Sequence, residues 1–413
     1  MTGTNWARNV VFNAHSLARP TSMAELRAAV GGSDRVRALG TGHSFNRIAD
    51  TDGIQVTAAA LPAQIEIDTA ARRVQVAAGL TYAQLVAPLE QAGLALPNLG
   101  SLPHISIAGA CATGTHGSGN GNGNLATAVS ALEMVIASGD VLRLSRAADP
   151  DRFDGVVVAL GRLGVVTQLT LDLVISFPVA QYVFDGLDDA TLDDQFEEIF
   201  ASGYSVSVFT DFSTNRLWCK RLAADGTPGA RWFGATAAAE ARHPIPGMPA
   251  ANTTEQLGAA GPWHERLPHF RADHTPSSGQ ELQSEYLLPR RHAVAALRAV
   301  RSVRDRVRPV LQIAEIRTVA ADLLWLSPSY RRDTVALHFT WIDDMAAVLP
   351  VVRAVERQLA AFEPRPHWGK VFDLAAASVR AEYDQLAAFG DLIGEYDPDG
   401  KFGNVLVDEY VAG

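Results

Sequence analysis

The segment Gly40 to Asn46, which reads Gly-Thr-Gly-His-Ser-Phe-Asn, constrains the fold of this chain more than any other. It follows a short β-type run, Val36 to Leu39, so it predicts a turn that carries an imidazole at the end of a strand. The two glycines permit positive φ, which lets successive backbone N–H groups converge on an anion such as a pyrophosphate. On these seven residues alone, a surface turn with a solvated His43 is the simpler interpretation, because one glycine-rich loop is weak evidence.

Length and charge limit the fold and the partners of the chain. At 413 residues and 44.1 kDa it exceeds the size of a single core, which predicts two domains, and 47% hydrophobic residues can supply both cores. A net charge of −10 argues against nucleic acid or an acidic membrane as the partner. Two cysteines, no bilayer-spanning apolar stretch and no signal-peptide pattern predict a cytoplasmic protein that binds a small molecule. We expect a monomer.

Short strands and helices alternate between residues 21 and 171, which predicts a mixed α and β domain. The composition changes after Phe177, so we expect the first domain to cover residues 1–177, a second to cover 178–385 and a C-terminal segment, 386–413, to return to the first. Apolar periodicity predicts a helix at each of the ranges 192–200, 294–307 and 348–359. The two later helices should lie on a sheet.

The segment Asn98 to Ser118 is small, polar and nearly free of charge. Its many Gly, Ala, Ser and Thr residues let the backbone approach a large flat cofactor and offer it many N–H donors. Tight packing of backbone on backbone is the alternative, and it explains the glycines but not the repeated hydroxyls.

Alternation predicts two strands with a polar face. In Ile313 to Arg317 a strand places Glu315 and Arg317 on one side, and in Val335 to Trp341 it places His338 and Thr340 on one side. A cross-strand salt bridge is an equal alternative for the first pair. The motif His-Trp-Gly-Lys that ends at Lys370 lacks helical periodicity, and its lysine is either functional or simply exposed.

Several common site motifs are missing from the sequence. It contains no HExxH, GxSxG, P-loop or CxxC pattern, so no metal site is predicted, and the usual serine-hydrolase, NTPase and dithiol chemistries are not indicated. Phe45 stands where the dinucleotide fingerprint requires its third glycine.

The histidine loop, the Ser-Leu-Pro-His-Ile-Ser segment, the Glu-Ile-Arg strand and the His-Trp-Gly-Lys motif, in this order, resemble the flavoprotein oxidases of the vanillyl-alcohol oxidase class. Within that class the chain is most similar to the alditol oxidases, which act on xylitol and sorbitol. The resemblance implies an α+β fold: an FAD-binding domain of two α/β subdomains and a substrate domain with an antiparallel sheet covered by helices. The chain departs from the pattern at Leu323 and at Ala110-Cys111.

The resemblance also implies roles for individual residues. It makes His43 the covalent attachment point of FAD and Gly100 the position that controls access of O₂ to the reduced flavin. It makes Lys370, Arg317 and Glu315 the catalytic residues, and it adds Ser101 and Thr340 to them as substrate-binding residues. The remaining expected FAD contacts are Gly40, Thr41, Gly42, Ser44, Ser101, Ser106, Gly109, Thr113, Thr115, His116, Gly117 and Val166.

The activity implied is oxidation of the terminal primary hydroxyl of an alditol to the aldose, with O₂ reduced to H₂O₂. An aldonolactone oxidase, or an FAD-dependent dehydrogenase that uses another electron acceptor, is the alternative enzyme. A sugar-binding or structural protein without activity is a third possibility. A bond from Cys111 to the flavin is disfavoured against a buried, inert thiol.

Overall fold

A computed structural model describes residues 3–273 and 280–411 of the protein, and its first part contains a three-stranded, a five-stranded and a two-stranded sheet. The strands of this first part are β1 Ser16–Ala18, β2 Val36–Ala38, β3 Ile54–Val56, β4 Ile65–Asp68, β5 Arg73–Ala77, β6 Leu94–Ala95, β7 Val129–Val135, β8 Val141–Ser145, β9 Val165–Asp172 and β10 Val174–Ile175. Its helices are α1 Met23–Gly31, α2 Tyr82–Gln91, α3 Ile107–Ala112 and α4 Pro150–Val156.

Strands β1, β3 and β2 form a parallel sheet in that order, and β4, β5, β9, β7 and β8 form an antiparallel sheet. The short strands β6 and β10 pair with each other. Helix α2 begins at a capping box in which Thr81 and Gln84 satisfy each other's backbone N–H groups. The helix continues past Pro88 to Gln91, and Gly93 follows at φ +71°.

The second part is one large antiparallel sheet with helices. Its strands are β11 Pro178–Leu187, β12 Ser205–Thr210, β13 Asn215–Leu222, β14 Arg231–Trp232, β15 Ala235–Ala237, β16 Gly261–Pro262, β17 Glu281–Pro289, β18 Leu311–Val319, β19 Thr334–Ile342 and β20 Arg365–Pro366. Its helices are α5 Asp189–Asp194, α6 Phe196–Ala201, α7 Ala293–Arg301, α8 Arg304–Val307, α9 Met345–Leu359 and α10 Ala376–Arg380. Helices α11 Leu386–Tyr396 and α12 Val405–Val411 end the chain.

The strands run in the order β14, β15, β11, β13, β12, β18, β19, β17, β20, and β16 pairs with β11. Ile316 of β18 and Leu337 of β19 belong to the core under α7 and α9. The alternate positions, which include Glu315 and His338, face the opposite side. The predicted alternation in both strands is therefore confirmed, as is the expected combination of α/β layers with a helix-covered antiparallel sheet.

Two predicted helices are each divided in two. The helix expected over residues 192–200 breaks at Gln195, because that residue has φ −120° and ψ 29°, outside the helical region. The helix expected over 294–307 ends at Arg301 and resumes at Arg304 after Val303, which has φ −110°. Helix α9 is continuous and confirms the third prediction.

The last two helices pack against the first part of the molecule. The backbone N–H of Val36 donates to Lys401 O at 2.9 Å, and Arg162 forms ion pairs with Asp397 and Asp408. The domain limits at residues 177 and 385 stay predictions, and residues 1–2 and 412–413 lie outside the described ranges. Within the described ranges, no helix combines the length and the apolar character needed to cross a bilayer.

Candidate active site

The N-terminal arm holds the histidine loop. Asn5 donates from its side-chain amide to Ser44 O at 2.8 Å, and Trp6 donates from its backbone to Gly42 O at 2.8 Å. Gly42 has φ +72°, which a residue with a Cβ adopts only with strain. The Trp6 ring stacks on the His43 ring with centroids 4.8 Å apart and planes 19° from parallel. The imidazole is thus held between a tight turn and an aromatic face.

One of the two nitrogens of the His43 ring makes no hydrogen bond to the described residues. Nδ1 lies 3.3 Å from Thr41 Oγ1, whereas the buried Nε2 has no hydrogen-bond partner among the described residues. Burial, with Lys370 and His104 adding to the effect, lowers the pKa of His43 to about 4. The ring is therefore neutral at pH 7 and presents a free lone pair or N–H.

The loop opens into a long cavity between the first part of the molecule and the polar face of the large sheet. Glycines bring the backbone close on one side: a Cβ at Gly40 would lie 2.3 Å from Ser106 Oγ, and a Cβ at Gly109 would lie 2.7 Å from the same atom. At Gly100 an added Cβ would meet no atom closer than 3.7 Å, so that position has space.

The structure brings nearly all predicted site residues to this one cavity. Those that line it are Gly40, Thr41, Gly42, His43, Ser44, Gly100, Ser101, Ser106, Gly109, Thr113, Thr115, His116, Val166, Glu315, Arg317, Thr340 and Lys370. Gly117 is the exception. It packs against the preceding segment, since an added Cβ would lie 2.3 Å from Leu99 O, and it does not line the cavity.

The turn that carries Lys370 is docked on the histidine loop. Phe45 N donates to Gly369 O at 2.7 Å, and the Asn46 side chain donates to Trp368 O and Lys370 O, both at 2.8 Å. Two segments more than three hundred residues apart in sequence thus form one rigid unit. Lys370 Nζ lies 5.0 Å from the centre of the Phe45 ring.

Lys370 is partly buried rather than exposed, and its amine donates to Gln283 Oε1. The amide of Gln283 in turn donates to Glu281 Oε1 at 2.6 Å. Burial lowers the pKa of Lys370 to about 8, with Glu285 acting in the opposite direction. The ammonium form still predominates at pH 7, and it faces the cavity.

The shortest ion pair of Arg317, on β18, is with Glu285 on β17, which is separated from β18 by β19. The NH2 group of Arg317 donates to Glu285 Oε1 at 2.5 Å, while its Nε lies 3.6 Å from Glu315 Oε2. Arg317 therefore pairs with two carboxylates, closely with Glu285 and more loosely with Glu315. Although burial opposes ionisation, Arg317, His116 and His338 hold the pKa of Glu285 well below its usual range. Glu285 is therefore ionised and lies beside the guanidinium of Arg317.

Sequence reasoning missed several polar residues of the site, among them Gln283, Glu285 and His269. The first two had a signal, because Glu281, Gln283 and Glu285 alternate along β17 as the polar residues of β18 do. His269 lies outside the regular elements and had no such signal.

Cys111 lies behind the cavity wall, 3.8 Å from the Tyr82 hydroxyl. Burial raises the pKa of its thiol to about 12, so the thiolate is not available at neutral pH. This placement agrees with a buried, inert thiol.

Two family models match the chain, an FAD binding domain over residues 14–145 and D-arabinono-1,4-lactone oxidase over residues 278–411. Alditol oxidase from Streptomyces sp. (strain IKD472) is 53% identical, with 99% of each chain covered. The chain belongs to the alditol oxidase family. The first part of the molecule is accordingly an FAD-binding domain.

Lactone-oxidising enzymes are more distant relatives. L-gulono-1,4-lactone dehydrogenase from Mycobacterium tuberculosis (strain H37Rv) is 30% identical, with 97% of each chain covered. The alditol oxidase and the lactone dehydrogenase together agree with the resemblance carried by the four motifs.

Solved structures show the same fold at low identity. Cholesterol oxidase from B. sterolicum matches with a TM-score of 0.81 at 14% identity, over 99% of this chain and 96% of that one. Glucooligosaccharide oxidase from Acremonium strictum, which carries a 6-S-cysteinyl, 8α-N1-histidyl FAD, matches with a TM-score of 0.73 at 14% identity, over 98% and 93% of the two chains. The expected two-part flavoprotein oxidase fold is confirmed.

Proposed function

We propose that this protein is an FAD-dependent alditol oxidase that converts the terminal CH₂OH of a polyol such as xylitol or sorbitol into an aldehyde, with O₂ reduced to H₂O₂. One observation carries the proposal: two cations, the partly buried Lys370 and the buried Arg317, and a buried carboxylate, Glu315, share a cavity wall beside the histidine loop. The identity of 53% to an alditol oxidase supports the same conclusion.

FAD fits the cavity. The close approach of backbone at Gly40 and Gly109 leaves no room for side chains and suits a flat, extended ligand. His43 supplies a neutral imidazole with an unsatisfied buried Nε2 at the wall of the same cavity. We propose His43 as the covalent attachment point, with the predicted loop residues and the Ser106 to His116 segment as the remaining contacts.

FAD bound in this cavity would supply the redox chemistry, which is removal of a hydride from the alcohol carbon and transfer of two electrons to O₂. The chain's own residues hold the substrate for this step. The amine of Lys370 and the guanidinium of Arg317 point into the cavity and would stabilise negative charge on the C1 oxygen as its proton leaves. Because both are held by buried partners, Gln283 and Glu285, little reorganisation is needed at the moment of reaction.

The remaining polar groups recognise the rest of the polyol. Glu315, Ser101 and Thr340 line the cavity and would hydrogen-bond successive hydroxyl groups. A substrate that lacks one of these hydroxyls leaves a buried site group unpaired, which costs affinity. A Cβ at Gly100 would already contact the Thr115 and Leu125 side chains, 3.8 and 3.9 Å away, so glycine leaves open to O₂ the space that a side chain would fill.

A lactone is the second candidate substrate. The match of residues 278–411 to D-arabinono-1,4-lactone oxidase favours it, as does the 30% identity to a gulonolactone dehydrogenase. In that reaction the same cations would face a ring hydroxyl, and the electron acceptor would be O₂ or another oxidant.

Steady-state assays separate these activities. Purified protein should be yellow, and it should produce H₂O₂ with xylitol and sorbitol faster than with a γ-lactone. Turnover only with the lactone, or only with an artificial electron acceptor in place of O₂, would assign the protein to the second class. A colourless preparation would exclude both.

A further inference from the structure

An irregular segment, Leu267 to Phe270, carries an imidazole to the cavity beside Glu315. His269 Nε2 lies 3.0 Å from Glu315 Oε1, and only 6% of each side chain is exposed. Both residues line the cavity. One of the two carboxylate oxygens of Glu315, Oε1, is therefore already hydrogen-bonded to His269.

Two aromatic rings fix the orientation of this imidazole. The Phe209 ring lies 5.2 Å from the His269 ring at 74°, and the Trp218 ring lies 5.6 Å from it at 78°. The Trp218 ring is itself anchored, because its Nε1 donates to Gln181 Oε1 at 2.7 Å. Rotation of the His269 ring would collide with these edges, so its nitrogens keep their directions.

The other nitrogen of the ring faces a lysine. Lys220 Nζ lies 3.4 Å from His269 Nδ1 and also donates to Leu267 O. An amine, charged or neutral, has hydrogens to donate, so Nδ1 accepts and the ring proton lies on Nε2. The chain contains only three lysines among its 35 lysine and arginine residues, and Lys220 is buried beside this cavity.

The backbone of the segment is tied at three points. Thr254 Oγ1 donates to Pro268 O at 2.7 Å, and Thr254 N donates to His269 O at 3.0 Å. Phe270 N donates to Ser101 O at 3.3 Å, which links the segment to a second residue of the proposed substrate site. The imidazole is thus preorganised before substrate arrives.

We propose that His269, with its tautomer set by Lys220, is a positioning residue that orients the Glu315 carboxylate to accept a hydrogen bond from a polyol hydroxyl. With Oε1 held by His269, Oε2 is the oxygen left toward the cavity and Arg317. The inference rests on the proposed function, because it takes Glu315 as a substrate-binding residue.

His269 also affects the pH range in which Glu315 is ionised. Burial opposes ionisation of Glu315, but Arg317 and His269 hold its pKa below the usual range. The other titratable groups that face it are His338 on β19, Lys220 on β13 and Lys370. Burial lowers the pKa of His269 to about 4, so the ring is neutral at pH 7. Loss of the ring raises the pKa of Glu315, and the acidic limb of kcat/KM should move to higher pH.

The test is a double-mutant cycle in the flavin-loaded enzyme with xylitol as substrate. We expect His269→Ala to raise KM about ten- to hundredfold, the size expected for a lost hydrogen bond to a carboxylate, with a smaller change in kcat. His269→Gln keeps an N–H donor near the Nε2 position and should restore KM to within about threefold. Lys220→Met should raise KM less than His269→Ala. His264→Gln, a matched control in the same region but outside the cavity, should leave both constants unchanged.

In a Glu315→Gln background, His269→Ala should have little further effect, because the two residues act as one unit. If Glu315→Gln raises KM and His269→Ala raises it further by the same factor as in the wild type, the positioning role is wrong while the proposed function stands. If Glu315→Gln leaves KM unchanged, the substrate-binding role of Glu315 is wrong, and this inference is lost with it. If His269→Ala is unstable, His269→Phe takes its place, because it keeps a ring beside Phe209 and Trp218 but has no N–H donor, and a wild-type KM in that variant would overturn the proposal.

Discussion

Replacement of Lys370 by methionine tests the central feature of the proposed site, a partly buried cation beside the reacting oxygen. Methionine has a similar length and is apolar, so the change removes the charge and the hydrogen bond to Gln283 with little change in packing. The turn itself should persist, because Asn46 holds the carbonyls of Trp368 and Lys370 from its own side chain.

The expected loss of rate in Lys370→Met follows from the position of the amine in the site. One preorganised donor to a developing oxyanion, in a site where water is excluded, contributes about 3–4 kcal/mol to the barrier, which is about 10²–10³ in rate. Arg317 remains in place, held by Glu285 at 2.5 Å, so residual activity should persist. The loss should be in kcat as well as kcat/KM, because the interaction strengthens as charge develops.

The measurement is anaerobic stopped-flow reduction of the flavin by xylitol, which separates this step from reoxidation by O₂. Lys401→Met is the matched control: Lys401 donates to Val30 O and Ala137 O, each at 2.8 Å, and does not line the cavity. It should lower stability without slowing reduction. A Lys370→Met enzyme that reduces its flavin within about threefold of the wild-type rate would refute the role of the cation.

Three further outcomes are expected. His43→Ala should leave no fluorescent flavin on the unfolded chain in a denaturing gel, and the intact mass of the wild type should exceed that of the variant by one FAD. Gly100→Ala should slow reoxidation by O₂ without slowing reduction by xylitol, and Gly100→Val should slow it more, since an added Cβ already contacts its neighbours and larger groups fill more of the cavity beside it. Glu356→Gln should flatten the pH dependence of stability: burial raises the pKa of Glu356 to about 7, so its carboxyl stabilises the fold less as pH rises from about 4.5 through 7, by up to about 3 kcal/mol. Chemical denaturation at pH 5 and pH 8 measures that difference, and an equal loss in wild type and variant would contradict it.

Local sequence patterns were enough to predict much of the fold and the site. The capping box at Thr81, the alternation through Glu315 and the loop around His43 each depend on residues within a few positions of one another. Periodicity and glycine placement act over that range, so strands, turns and the polar face of the sheet could be read directly. The order of four motifs then identified the family.

The partners of these residues were decided only in three dimensions. That Arg317 pairs more closely with Glu285 than with Glu315 depends on the register of β17, β19 and β18, which brings strands together across many residues. The alternation along β17 was visible, but it does not say which of its two faces meets the cavity.

His269 and Gly117 show that local sequence patterns do not decide which residues reach the cavity: His269 was missed, and Gly117 was wrongly predicted to line it. His269 reaches Glu315 from an irregular segment with no periodic signal, and Gly117 matches the motif yet packs behind the wall. The sequence by itself determined which chemical groups the chain carries and the faces on which short strands present them. Only the tertiary structure decided which of those groups meet, because contacts between distant segments depend on strand register and loop path, which local spacing does not encode.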